Sequence, residues 1–596
     1  MEHQARARPT DLHRVDGETP AAGPHLRRPR FDVLASGLLP GALLGAHLGG
    51  LIFFLNPGLP FQPGPVLRGT LLYAVLLGLL SLALHLPFTW NHPRRARRFL
   101  PWGLTLALAV AAVLDGAHAS YFAWFLPPGM NERLIKTALW LALGAIIAFY
   151  TALLHTLHRR RYGLRSRSAY VLITALSVVA MIERREAFQP RPALPARPAA
   201  VETGQRPRLW VVGIETATLD AILPLADQGR LPFLSTVIRG GAYGRLESIT
   251  PPRREALWAT LSTGKYPYKH GVTGNLAYRS SFIAPGEDLH LLPDEIGFRR
   301  WGMLDLREYR LGGQDRKALD LWDILARLGV PSGVLGWPVS SPASRDTVFA
   351  LPEPFFTGDP DAYPRETADK ARLFRVSPAE IDAADRARLG DPPQPVLEAL
   401  AGDLWRESLA AFLDEQHPET GAVFVSLAGL RVVSRRSFGG YDAVQFAGSQ
   451  DPAQRRAWEQ VAGYYAQLDG FLAEIWRREP DPKILVVVSP YGARPRTSAW
   501  EKLTQLTVIE GSSAGSPDGI LLFYGEGIRP GELITGARLT DLAPTLLYAL
   551  GFPVARDLDG QVLTAAFDRD FLATHPLTFY PSYEALARVG SPSTVP

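Results

Sequence analysis

Hydrophobic positions follow two different patterns along this chain. Over residues 31–182 they form long runs, at 31–55 (FDVLASGLLPGALLGAHLGGLIFFL), about 69–88, 100–125, 134–157 and 168–182. At a rise of 1.5 Å per residue, about 20 apolar residues cross a hydrocarbon core of about 30 Å. The first four runs meet that length. The fifth is shorter and needs Ser166 and Glu183 at the level of the head groups. A polar stretch of about 30 residues precedes the first run and further spans follow it, which predicts a retained anchor and not a cleaved signal peptide. From residue 209 the runs shorten to strand length: 209–214 (LWVVGI), 422–427 (AVFVSL), 484–489 (ILVVVS) and 519–524 (GILLFY). Stretches of helical character at 219–239, 317–328, 394–415 and 455–478 alternate with them. Strands alternating with helices predict an α/β domain with a mostly parallel sheet, buried on both faces, whose ligand site lies at the carboxyl ends of the strands.

Between the two patterns, residues 187–207 are rich in proline and arginine without apolar periodicity, as in an extended spacer. The expected organisation is therefore a disordered basic segment at 1–30, a transmembrane domain of about five helices at 31–186, the linker at 187–207, an α/β domain at 208–566 and an extension at 567–596. The chain has 596 residues, room for about four domain-sized units. It contains no cysteine, which excludes disulfides, thiolate metal sites and cysteine nucleophiles. Its net charge of +5 is unevenly placed: residues 1–186 carry about +11 and the remainder about −6, so the basicity belongs to the membrane end and a nucleic-acid partner is not expected.

Arginine placement predicts orientation. Segments 1–30, 91–98 (NHPRRARR) and 158–167 (HRRRYGLRSR) hold about fifteen Arg, against about three Arg or Lys in the loops near 56–68 and 126–136, and cationic loops stay on the cytoplasmic side. With the N-terminus inside, five crossings put everything after Glu186 outside the cytoplasm and four put it inside, so the fifth run decides the compartment. Within the spans, His47, Asp115 and His118 reach similar depth if runs one and three point the same way, and Asp115 and His118 share a helix face. Such a polar cluster serves either as a proton or ion pathway or as a hydrogen-bonded knot holding the helices together.

Five stretches carry a resemblance: VVGIETATLD (211–220), GRLPFLSTVIRGGAYGRLESITPP (229–252), ATLSTGKYPYKHGV (259–272), LWDILARLGVPSGVLGWPVSSPA (321–343) and LTDLAPTLLYALGFPVARDLDGQVL (539–563). In this order they resemble the alkaline phosphatase superfamily, in its type I phosphodiesterase and nucleotide pyrophosphatase branch, over nearly all of residues 208–566. The resemblance implies an alkaline-phosphatase-like mixed, mostly parallel sheet flanked by helices. It also implies a hydrolase centre with two divalent metals and a Ser or Thr nucleophile. That chemistry needs carboxylate and imidazole ligands, because each must give a lone pair to a cation that neutralises the phosphoryl group.

The positions that the resemblance assigns to this centre hold other residues. The first Asp ligand is Glu215 and the nucleophile is Arg254. GLRVVSR stands where the family has GIDxxSH, which puts Arg431 and Arg435 at an Asp and a His. SPYG stands for SDHG, which puts Pro490 and Tyr491 at the next Asp and His, and the last His aligns with Gly515. Six of these seven residues are not expected to bind the metals. The three arginines repel divalent cations as well as failing to coordinate them. Two readings follow: a salt-bridge network closing the old pocket around Glu215, or a pocket that still receives a phosphate-bearing or other anionic ligand without turnover. His270, in the retained KHG turn, is read as architectural.

The expected protein is thus a membrane-anchored pseudoenzyme with no metal and no cofactor. It would act by binding, scaffolding or regulation in a membrane or envelope process, with the lipid bilayer and a membrane-protein partner or a second copy of itself around it. One alternative is an active phosphodiesterase or phosphotransferase with a relocated site at 273–316 or 344–393, where Asp288, His290, Asp294, Glu295 and Asp305 stand. The other is a transport-associated membrane component working through the bundle.

Overall fold

The computed structural model describes residues 29–59, 62–91, 93–158, 164–183, 188–189, 206–292, 306–358, 361–390, 392–480, 482–494 and 518–587. The segment 1–28, most of the linker, Asp294, Glu295, Asp305 and Gly515 lie outside these residues.

The five apolar runs become helices α1 (Pro29–Leu55), α2 (Pro63–Thr89), α3 (Pro93–Tyr121), α4 (Pro128–Leu157) and α5 (Leu164–Glu183). Among the described residues, four are long and apolar enough to cross a membrane, and α5 adds a shorter apolar stretch at Arg167–Ile182. Gly37, Gly41, Gly45 and Gly49, each four residues on from the last, lie on the face of α1 that meets α2. A Cβ at Gly41 would stand 2.1 Å from the Leu77 carbonyl oxygen, and one at Gly45 2.0 Å from that of Tyr73. Only glycine permits backbones this close, the usual means of packing helices where lipid removes the hydrophobic drive between them. Helix α5 runs parallel to α1. Near its start Tyr170 belongs to the apolar cluster formed by α3 and α4, and near its end Val178 Cγ1 lies 2.7 Å from where a Cβ on Gly50 of α1 would be. Its 20 residues span about 30 Å.

The second domain is built on an eight-stranded sheet in the order β11-β2-β10-β9-β1-β8-β6-β7. Its strands are β1 (Arg208–Ile214), β2 (Ala242–Glu247), β6 (Ser332–Leu335), β7 (Phe349–Leu351), β8 (Ala422–Leu427), β9 (Lys483–Ser489), β10 (Gly519–Gly525) and β11 (Glu532–Arg538). All pairings are parallel except those of β10, which is antiparallel to both β2 and β9. Alternate residues of β1 serve the two faces: Leu209 and Val211 join a core with Trp258 and Leu546, while Trp210, Val212 and Ile214 join one with the helices 394–416, 429–445 and 452–478. This is the mixed, mostly parallel, alkaline-phosphatase-like sheet expected from the sequence. The single helical stretch expected at 219–239 is two helices, α6 (Leu219–Asp227) and α7 (Pro232–Gly240). Gly229 breaks it with a left-handed φ of 73°.

A small antiparallel sheet, β3 (Leu276–Ser280), β4 (Ala284–Leu289) and β5 (Leu306–Arg310), joins the two domains. Beyond it, Asn56 at the end of α1 donates to the Leu291 carbonyl (2.8 Å) and accepts from the His290 and Leu291 amides (2.7 and 3.0 Å). Trp124, between α3 and α4, stacks on Tyr266 with ring centroids 4.5 Å apart. The loops after α1 and α3 and the end of α5 therefore lie at the end of the bundle that carries the α/β domain, and the ends of α2 and α4 lie at the other.

Candidate functional site

The carboxyl end of β1 leads into Glu215, which is fully buried, and Thr216 follows in a left-handed conformation with φ 65°. A non-glycine residue there is strained, and such strain gathers at ligand sites. Thr216 Oγ1 donates to Ser434 Oγ at 3.1 Å, tying the turn to helix 429–445. Helix α8 (Arg254–Thr263) is laid across the end of β1 by Trp258, whose ring would stand 2.5 Å from a Cβ on Gly213. Arg254 is one turn before Trp258, at the first position of α8, and so points at Glu215.

Arg254 Nε donates to Glu215 Oε1 at 2.8 Å, and Nη2 reaches the same oxygen. Its Nη1 donates to Glu353 Oε2 at 3.0 Å, and Nη2 also bonds Glu353. The other oxygen of Glu215 lies 2.9 Å from Arg431 Nε and accepts from the Tyr491 hydroxyl at 3.2 Å. Glu255 Oε1 stands 3.7 Å from Arg254. Burial opposes the Arg254 cation, but Glu215 and Glu353 outweigh it and raise its pKa well above the ordinary guanidinium value. Burial likewise pushes Glu353 up, and Arg254 more than reverses this, holding it below the usual carboxylate value. Glu255 is raised by burial, and Tyr491 is raised well above the usual phenol value by burial and by the Glu215 charge. The carboxylates also offset an electrostatic misfit, since a cation at the first turn of a helix faces the positive end of its dipole.

A second layer holds Arg431. Buried Asp403 accepts from the Ala428 and Gly429 amides (3.1 and 2.9 Å) and from the Tyr464 hydroxyl (2.8 Å), which fixes the N-terminus of helix Gly429–Gln445. A Cβ on Gly429 would collide with Tyr464 Oη at 1.8 Å.

Of the positions predicted from sequence, the structure brings together Glu215, Arg254, Arg431 and Tyr491. Pro490 is buried beside them at the end of β9. Arg435 is not part of the cluster: it is exposed and makes no ion pair among the described residues. It sits one helical turn beyond Arg431, on a helix that leads away from the sheet. Gly515 falls outside the described residues. Glu353 and Glu255 escaped the sequence reading. Glu353 stands two residues after β7, at the carboxyl end of the sheet, the position where ligand-site residues of open α/β sheets gather. His270 is fully buried; its Nδ1 accepts the Val272 amide at 3.1 Å, so Nε2 carries the hydrogen and donates to Thr260 Oγ1 at 3.1 Å. In the 273–316 segment, Asp288 pairs with Arg279 at 2.6 Å. In the bundle, His47 Nε2 meets Asp115 Oδ1 at 2.8 Å, both fully buried, and His118 bonds the Leu114 carbonyl one turn below itself at 2.7 Å.

The cluster lies at the strand ends of the α/β domain, which follows a bundle holding four helices long and apolar enough to cross a membrane. The family model for type I phosphodiesterase / nucleotide pyrophosphatase matches residues 209–507, and the chain belongs to that family. Among solved structures it is similar to a phosphonate monoester hydrolase from Silicibacter pomeroyi (14% identity, 61% of this chain and 78% of that one, TM-score 0.35). It is also similar to the wild-type alkaline phosphatase PafA (11% identity, 62% and 100%, TM-score 0.39). A third similar structure is murine ectonucleotide pyrophosphatase/phosphodiesterase 5, an inactive variant in complex with AMP (12% identity, 60% and 98%, TM-score 0.33). No curated protein sequence matches the chain.

Proposed function

We propose that this chain is a membrane-anchored pseudoenzyme of its family, working by binding, scaffolding or regulation at a membrane. The observation that carries the reading is the pairing of Glu215: one oxygen accepts from Arg254, and the other accepts from Tyr491 and lies 2.9 Å from Arg431 Nε. Where the resemblance places two divalent cations, the donor set is two guanidiniums, a proline, a tyrosine held in its neutral form and one carboxylate already paired. Guanidiniums have no lone pair to give, so this set does not fit a di-metal centre. A hydroxyl nucleophile is also missing from the first turn of α8, where Arg254 stands. Purified full-length protein with Mn²⁺ or Zn²⁺ is expected to hydrolyse neither aryl phosphodiesters nor aryl phosphomonoesters above a blank. Metal-dependent turnover that Glu215→Ala removes would overturn the reading.

The arrangement of the bundle supports an orientation. In sequence the arginine-rich connections follow α2 and α4, whose ends lie away from the α/β domain, so retention of cationic loops in the cytoplasm favours an extracytoplasmic domain. Protease added to intact cells is expected to cleave within the domain, and full protection of the domain would reverse this topology. A second reading, a bundle that moves protons or ions, draws on the His47–Asp115 pair in the bundle core. It predicts that Asp115→Asn abolishes the protein's cellular role while leaving it folded; an unaltered role would eliminate it.

A further inference from the structure

A cavity of about 890 Å³ opens where the two domains meet, within the range of sites that hold small ligands. Its two sides differ in chemistry. The bundle contributes Leu55, Pro57, Phe125 and Pro127, from the connections that follow α1 and precede α4, at the depth where a spanning bundle leaves the hydrocarbon. The α/β domain contributes four cations, Lys265, Lys269, Lys317 and Arg556.

Most of the charge on the wall is already matched. Lys265 binds Asp557 and Glu584, at 2.7 and 2.8 Å. Lys269 binds Asp559, and Asp288 binds Arg279. That leaves Lys317 and Arg556, both exposed and without an ion pair among the described residues, against one remaining carboxylate, Glu287. Tyr268 and Phe188 close the rim, their ring centroids 5.7 Å apart, the aromatic pairing favoured where one side of a site is apolar and the other wet.

We infer that this cavity binds a phosphate-bearing amphiphile, the head group of a membrane lipid, with its phosphate on the wall that carries Lys317 and Arg556 and its acyl root against the bundle wall at Pro57 and Pro127. Charge-assisted bonds from an ammonium and a guanidinium supply the phosphate contacts, and the apolar wall continues the surface on which the chains already lie. A free phosphate would use the cationic wall alone; a lipid uses both. The inference rests on the bundle lying in a bilayer and does not depend on whether the Glu215 centre turns over.

The test uses the full chain in detergent and three soluble probes, dioctanoyl phosphatidylglycerol, dioctanoylglycerol and inorganic phosphate, with dissociation constants read by calorimetry. The phosphatidylglycerol is expected to bind at least tenfold more tightly than either other probe, and Lys317→Glu with Arg556→Glu to weaken it at least tenfold without moving the melting temperature. Equal binding of phosphatidylglycerol and dioctanoylglycerol, or unchanged binding by the double variant, would overturn the inference. Inorganic phosphate binding as tightly as the lipid would overturn the lipid as its source. If the Glu pair does not fold, Lys317→Gln with Arg556→Gln carries the same comparison. Hydrolysis of aryl phosphates by the same preparation would sink the pseudoenzyme reading while leaving this result untouched.

Discussion

Arg254 places its Nε 2.8 Å from Oε1 of Glu215, and the same guanidinium holds Glu353 through Nη1 at 3.0 Å. One cation thus bridges two carboxylates from separate strand ends, at the first turn of a helix. Burying these charges is costly, and the mutual attraction in this geometry offsets the cost only while each partner is present.

Arg254→Ala is therefore expected to destabilise the α/β domain by about 3–5 kcal/mol, the usual scale for leaving a buried charge unpaired. The double change Arg254→Met with Glu215→Leu should recover much of the loss. Thermal melts of the purified protein check both; a single variant as stable as wild type would mean that the network holds nothing together.

Asn56 is the hinge pin between bundle and domain. Asn56→Ala leaves the Leu291 carbonyl and the His290 and Leu291 amides without their partner, at about 1–3 kcal/mol for each group left unpaired. Amide exchange at these two residues should accelerate while that of β1 stays as before. Uniform acceleration across both domains would indicate global unfolding and refute a local role.

The α1–α2 seam tolerates no side chain at its glycines. Gly45→Leu places carbon where the Tyr73 carbonyl lies, 2.0 Å from the new Cβ, and should separate the helices and lower the yield of folded protein sharply. Gly129→Ala, with open space around it, should be neutral. The contrast is read by size-exclusion recovery in detergent.

The fully buried imidazole of His270 makes stability depend on acid. Burial, with Arg316 and Lys265 nearby, lowers its pKa to about 3, against 6.5 in the unfolded chain. Between those values the unfolded state binds the extra proton, so this contribution is complete above about pH 6.5 and fades as pH falls toward 3, by about 1.4 kcal/mol per unit. His270→Gln should flatten the melting-temperature profile across that window. An unchanged slope would mean that His270 does not titrate on unfolding.

Much of this architecture was legible in the chain. The five helices of the bundle coincide with the five apolar runs, because a long apolar run satisfies its backbone groups within itself only as a helix. Strands β1, β8, β9 and β10 fall where short apolar runs stood, since a strand covered on both faces is apolar throughout. The family motifs were equally readable, each lying within one stretch of chain. What only the tertiary structure decided is which side chains meet. Arg431 joins Glu215 while Arg435, four residues on and chemically identical, stays in solvent, and Glu353 enters the site from a segment with no family motif. Such convergence depends on how β1, β7, β8 and β9 are ordered in one sheet and on the angle at which helices leave their ends. The cavity between the domains was hidden for the same reason: its walls come from segments hundreds of residues apart, and no local pattern encodes a contact over that separation.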